Sequence, residues 1–468
     1  MDRNRPSTTT AFNRLPIELN KTIAHCLETD KDIYAFRRIC RATDNACDGD
    51  NHSFWRAKFR EKYALKAGTP NNVLKAQYLK RGKWLNRSTT YPFHKGQERR
   101  EIKALAVLRD LIAESFQGSV QYDEYGRARC PNQTQLVNFI MNSKIVFGGR
   151  RPPSDAQKLN PALAATKLMC AHFLFDLDGP RQNVLAVEES QIAVYAPSNV
   201  APLFTGQYKT DVNMEWVLHS LDLFRCHMTN VELATLYSTM SDLPVSQKPS
   251  AWRGLLKHGC YPLSKHWKGT YTFLEQNDID KLRDVFYNNK SSKKNDLFFV
   301  DGNVEEGKIQ SLELDFTQDG DMSWPEIFED RLHSLRETGP PRTRAQHRSG
   351  FESPNQKHKN IHFVGKGEDL NDNFFARGWL NALPTQCGIP GWQRITFMKH
   401  FVEGDEELND DNLWAYEGVV LPGGRIILGR WWYASGNVNL DDDYNGPFIF
   451  WAVEEPELED EEDSDDDH

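Results

Sequence analysis

The sequence has no run of 18 uncharged apolar residues and no apolar segment behind a basic N-terminus, so neither a membrane-spanning helix nor a secretory leader is expected. It has eight cysteines but no CxxC pair, which argues against a zinc ribbon or a disulfide framework and fits a reducing compartment, cytoplasmic or nuclear. P-loop, GxGxxG and GxSxG motifs are missing, so nucleotide and serine-hydrolase chemistry lack their usual signatures. His358 and His362 have HxxxH spacing but straddle the edge of an expected strand, where their side chains do not converge. Cys226-His227 on an amphipathic run reads as packing plus surface. Asp315, Asp319 and Asp321 lack ordered calcium-loop spacing. No metal, cofactor or catalytic constellation is implied.

What is present suggests several domains, since 468 residues exceed the roughly 100–200 usual for one. Hydrophobic residues make up 39% and aromatics 11%, enough for real cores. Most of the 12 tryptophans lie from Trp216 onward. The net charge of −9 is unevenly spread: residues 454–467 hold eleven Asp/Glu and no Lys/Arg. That end, 454–468, reads as a disordered acidic tail. Residues 56–103 carry fourteen Lys/Arg against three Asp/Glu. This stretch is either a solvated helical face or a contact for an acidic partner or nucleic acid; missing aromatic repeats make nucleic acid the weakest option.

Local patterns divide the chain further. Residues 1–12 read as disordered, and 13–65 as three short helices. Pro16 suits a first helical position, and Leu19, Ile23 and Leu27 form one apolar stripe after it. A second helix is expected to carry Ile33, Phe36, Ile39 and Cys40 on one face. Asp48-Gly49-Asp50 reads as a turn. Ser53 is a candidate cap for a third helix with Trp55, Phe59 and Tyr63 at spacing four. Residues 66–255 read as mainly helical, with runs at 103–116, 162–177 and 215–228; Val184–Tyr195 has strand-like composition. From 260 to 453, seven short alternating runs lie between turn signals without helix-length intervals, which points to an antiparallel barrel or sandwich. Residues 336–360 read as a long mobile loop within it. The expected fold class is α+β, with an N-terminal three-helix module, a helical middle and a C-terminal barrel-like domain.

Arg14-Leu15-Pro16-Ile17-Glu18-Leu19, then Phe36, Ile39-Cys40-Arg41 and Ser53-Phe54-Trp55-Arg56, resemble in order the F-box motif. The resemblance implies a subunit that binds a SKP-type adaptor and, through it, the cullin of a ubiquitin ligase. Leu15, Pro16, Glu18, Leu19, Ile23, Leu27, Phe36, Ile39 and Trp55 would then form the adaptor face or the small core behind it. About fifty residues bury too little area to be comfortable alone, so a docking partner is physically reasonable. An ordinary helical subdomain that uses the same stripe internally is the competing reading.

Gly391-Trp392-Gln393-Arg394-Ile395, Trp414-Ala415-Tyr416-Glu417-Gly418, the run from Leu421 to Trp432, and Gly446-Pro447-Phe448-Ile449-Phe450-Trp451 resemble the C-terminal region of a large group of fungal F-box proteins. Trp267-Lys268-Gly269-Thr270-Tyr271 is similar to the opening strand of lipocalin-like barrels. The resemblance implies a substrate reader. Pro422-Gly423-Gly424 suits a hairpin turn, after which Ile426, Leu428, Arg430 and Trp432 alternate with Arg425, Ile427, Gly429 and Trp431. Arg430, Glu417 and nearby Trp414, Arg425, Trp432 and Trp451 either line a peptide pocket or include a structural Arg430–Glu417 pair amid core tryptophans. The expected function is recruitment of client proteins to the ligase without catalysis; a small-molecule-binding barrel is the alternative.

Overall fold

The computed structural model describes residues 11–88, 93, 96, 98–118, 120–122, 126–143, 160–175, 186–197, 203–206, 208–231, 235–288, 297–316, 324–332, 360–403, 407–434 and 444–455. Nearly all of the N-terminal stretch, the loop at 336–360 and the acidic tail read from sequence lie outside these residues, as do His358, Asp319 and Asp321. The chain forms two compact units, one of Met1–Cys170, Arg253–Leu256 and Cys387–Ile389, the other of Ala171–Trp252, Lys257–Gln386 and Pro390–His468. The boundary after Cys170 falls inside the region read as one helical middle.

The first unit is helical. α1 (Ile17–His25), α2 (Asp30–Arg37) and α3 (Arg41–Lys62) are followed by α4 (Asn71–Ser88) and α5 (Arg99–Ala113). A short hairpin of β1 (Gln121–Tyr122) and β2 (Ala128–Arg129) precedes α6 (Pro131–Asn142), and α7 (Pro161–Ala171) comes last. Pro16 stands one residue before the position expected: it caps α1, its carbonyl accepting from Leu19 N at 3.1 Å and Asn20 N at 3.2 Å. Thr29 starts α2, its hydroxyl accepting from Asp32 N at 3.1 Å. α2 stops at Arg37, so Ile39 and Cys40 are not on its face; the Cys40 N–H donates to Thr43 Oγ1 at the start of α3. The turn read at Asp48-Gly49-Asp50 is a break within α3, where Asp50, Asn51 and His52 take positive φ. Ser53 donates to the Asp50 carboxylate at 3.1 Å and is not the expected cap.

Trp55 centres this unit, packed on Phe54 and Tyr78 and donating to Asp48 Oδ1 at 2.8 Å. Burial works to raise the Asp48 carboxyl, but hydrogen bonds from Lys75 and Trp55 and the Arg37 charge hold it below its ordinary value.

The second unit is a barrel with helices against part of its outer face. Its helical part holds α8 (Val187–Tyr195), the short hairpin β3 (Phe204–Thr205) with β4 (Asp211–Val212), α9 (Met214–Thr229) and α10 (Thr235–Asp242). Val187–Tyr195 is thus a helix, not the strand pair its composition suggested. It is buried on most sides, which hides the helical period. The barrel strands are β5 (His266–Tyr271), β6 (Gln310–Asp315), β7 (Asn360–Asp369), β8 (Asp372–Ala382), β9 (Gln393–Glu403), β10 (Glu407–Val420), β11 (Ile426–Tyr433) and β12 (Asn445–Ala452). Each pairs antiparallel with the next, and β12 pairs with β5 to close the ring. Two helices interrupt the strands where none were expected: α11 (Gln276–Asn288) after β5 and α12 (Glu326–Leu332) after β6.

Alternation sorts the strands into an inner and an outer set. Phe363, Phe397, Tyr416, Phe448 and Phe450 meet inside, with the Phe397 and Tyr416 rings stacked at 4.6 Å. Gly367 leaves the space that the Phe374 ring fills. Gly423, at φ 96°, makes the turn from β10 to β11. α9 packs on β11 and β12, α8 on β12, and α12 on β9 and β10. β12 is therefore buried along its whole length, whereas β7 and β8 alternate with exposed positions.

Candidate functional site

In the first unit, the residues assigned to an adaptor face fall into two groups. Phe36 and Trp55 are core side chains. Leu19 is 50% exposed and Ile39 43%; Pro16 and Glu18 are exposed, and Leu15, Ile23 and Leu27 are half-buried. Ile17 and Tyr34 add further exposed apolar surface. The side of α1 that faces inward carries Asn20 and Ala24, both fully buried, and Asn20 Nδ2 donates to Phe12 O at 3.0 Å. α1 thus turns a polar and a small residue inward and leaves its leucine outside.

The basic stretch is largely tied into this unit. Lys58 is buried and donates to His25 O at 2.9 Å and Leu27 O at 3.1 Å, closing the end of α1. Lys62 pairs with Asp30 at 2.6 Å, Lys75 with Asp48 at 2.8 Å, and buried Arg81 with Glu114. Arg81 also lies over the Phe59 and Tyr63 rings.

In the barrel, the expected pocket residues do not converge. Trp414 points inward, packing on Trp431 at 5.5 Å and Tyr433 at 5.2 Å. Glu417 and Arg430 are opposite each other across β10 and β11, but they do not form the expected pair. Glu417 pairs with Arg394 of β9, and Arg430 Nε donates to Asn445 Oδ1 at 3.1 Å. Arg425 reaches Ala452 O and Ser250 Oγ, Trp451 Nε1 donates to Gln247 O at 2.9 Å, and Trp432 sits in the outer cluster with Phe328, Met398 and Leu413.

A different set of residues meets inside one end of the barrel. Lys399 follows Ile395 and Phe397 at the inward positions of β9 and pairs with Asp369 at the end of β7. Its ammonium also donates to Gln310 Oε1 at 3.3 Å and lies 4.3 Å from the Phe374 ring centre and 5.3 Å from that of Phe401. Lys399, Asp369 and Gln310 are buried; Tyr271, Phe401 and Trp414 beside them are half-buried. Burial drives the Lys399 amine down, opposed by the Asp369 charge and hydrogen bond. Burial, and then the Asp369 carboxylate, raise the Tyr271 phenol. This cluster was readable in principle: Lys399 occupies an inward slot in the alternation Ile395, Phe397, Lys399, Phe401.

Outside that end, His227 is fully buried and not at the surface as expected. It pairs with Asp301 at 3.0 Å, and Asp301 also accepts from Gln191 at 2.8 Å and Tyr195 at 3.1 Å. His362 lies against Trp379. Among the described residues, no group of three or more His, Cys, Asp or Glu could hold a metal ion, and no helix is long and apolar enough to cross a membrane. Comparison with protein-family models, curated proteins and solved structures finds no match to this chain.

Proposed function

We propose that this chain is a substrate-recruiting F-box subunit of a SKP–cullin–F-box ubiquitin ligase. The N-terminal helices would dock on the SKP-type adaptor, and the barrel would hold a client protein. Such a subunit acts by proximity, raising the effective concentration of client lysines near the conjugating enzyme. The observation that carries this reading is the orientation of α1, with Asn20 and Ala24 inward and Leu19 half exposed. A helix serving only its own core would bury Leu19 first. Pull-down of the full chain with the adaptor tests it. Recovery should be lost with a Leu15→Asp/Pro16→Ala double variant and with Leu19→Asp; equal recovery of adaptor by wild type and variants would overturn it.

A second reading, a small-molecule-binding barrel without a ligase role, is favoured by the Lys399–Asp369 pair. A charged pair within an otherwise apolar barrel costs desolvation that apolar side chains would avoid. Native mass spectrometry of the full chain should then show a bound molecule, released on unfolding. A bare protein mass from cells and after incubation with apolar ligand mixtures would count against it.

A further inference from the structure

We propose that Lys399 is a reactive amine that captures an apolar aldehyde as an imine inside the end of the barrel. The proposal rests on the ligand-binding reading and adds the class of ligand and its bond. Three features of the geometry carry it. The Lys399 ammonium is hydrogen-bonded to the Asp369 carboxylate, so a proton acceptor stands at the nucleophile. Phe374, Phe401 and half-buried Tyr271 surround the amine, with Trp414 directly across from Lys399 on β10, giving walls for an aromatic or extended alkyl body. The amine's charge is already matched by Asp369, so a carboxylate ligand would meet like charge, whereas a neutral carbonyl would not.

The step balances without any further reagent. Asp369 takes a proton from the Lys399 ammonium. The freed nitrogen pair forms a C–N bond to the carbonyl carbon, and the C=O π electrons move to oxygen. Asp369 passes its proton to that oxygen, giving a carbinolamine whose nitrogen is still protonated. Asp369 then relays one of the two nitrogen protons to the hydroxyl, which leaves as water as the C–O bond breaks; the nitrogen pair forms the C=N bond of a protonated imine, with one aldehyde consumed and one water released. Gln310 lies within reach of the amine, at 3.3 Å from Nζ, to hold the carbinolamine hydroxyl. Burial favours the neutral amine, which supports the first transfer.

The test uses full-length protein, cinnamaldehyde as probe and cyanoborohydride to trap the imine, followed by peptide mapping. At about pH 6 exposed lysines are almost wholly protonated, so Lys399 should be alkylated at least about tenfold faster than exposed Lys265 and Lys366. Asp369→Asn should slow its labelling about tenfold. The wild-type map reads the outcome even where a variant folds poorly. Labelling of Lys265 and Lys366 with Lys399 untouched would overturn the proposal. Quenching of tryptophan fluorescence by the probe with no adduct at Lys399 would also overturn it, while leaving ligand binding itself intact.

Discussion

The N-terminal helices and the barrel distribute polarity in opposite ways. Around Trp55, charged side chains such as Lys58 and Arg81 lie buried, while Leu19, Tyr34 and Ile39 lie outside. In the barrel, aromatic side chains cluster in the interior, and on the β9–β12 side apolar residues are buried on the outer face too. Burying a charge demands partners, so the helical module is held by specific bonds from Lys58 and from Arg81. The barrel interior is held by packing, with the Lys399–Asp369 pair as the exception inside it; on the outer face buried Arg394 pairs with Glu417 and buried Arg430 bonds to Asn445.

Removing one member of that exception should have the largest effect. Asp369→Ala leaves Lys399 buried without its carboxylate and should cost about 3–5 kcal/mol in urea unfolding, whereas Lys399→Met/Asp369→Leu should recover most of it. If the single and double variants were equally unstable, the pair would be a packing element like its surroundings.

A pH-dependent loss comes next. His172 is fully buried against Trp252, and burial pushes its imidazole down to about 3 from an ordinary value of 6.5. Above pH 6.5 both folded and unfolded forms are neutral and the group contributes no pH dependence. As pH falls from 6.5 toward 3 the unfolded state takes up the proton first, so stability drops by up to about 1.4 kcal/mol per pH unit. His172→Phe should flatten that part of the stability–pH curve measured by denaturant titration. An unchanged slope would assign the acid sensitivity elsewhere.

Smaller still is the cap of α2. Thr29→Ala removes the acceptor for Asp32 N and should cost about 1 kcal/mol. Leu19→Asp should change stability by less than about 0.5 kcal/mol, because the side chain is half exposed, yet abolish adaptor retention. A large stability loss at Leu19 would mean that it serves the module's own core, and the contrast between the two regions would fail there.

The barrel was legible in the sequence to the extent that its strands alternate. β9 and β11 stood out because large apolar residues occupy every second position. β8 did not, because its inward positions run Phe374, Ala376, Gly378, Leu380, and the small residues that make room for neighbouring rings weaken the signal. α11 did carry a helical stripe, Ile279, Leu282 and Val285 in an otherwise polar run, whereas α8 was hidden by burial on most sides. At the site, residue identity alone could not give pairing. Glu417 faces Arg430 across the strands but pairs with Arg394, a choice made by side-chain direction in the folded sheet. A charge within an apolar alternation, such as Lys399, reads as an outward residue, when period two places it within.

The ring of strands closes only where β12 meets β5, elements separated by most of the domain's sequence. During synthesis, seven strands can form in order along the emerging chain, yet both His266–Tyr271 and Ile426–Tyr433 keep raw edges until Asn445–Ala452 arrives. A chain cut short before that last strand would present two open templates for pairing with other molecules. The final eight residues of the barrel therefore decide whether both edges are sealed or left open to other molecules.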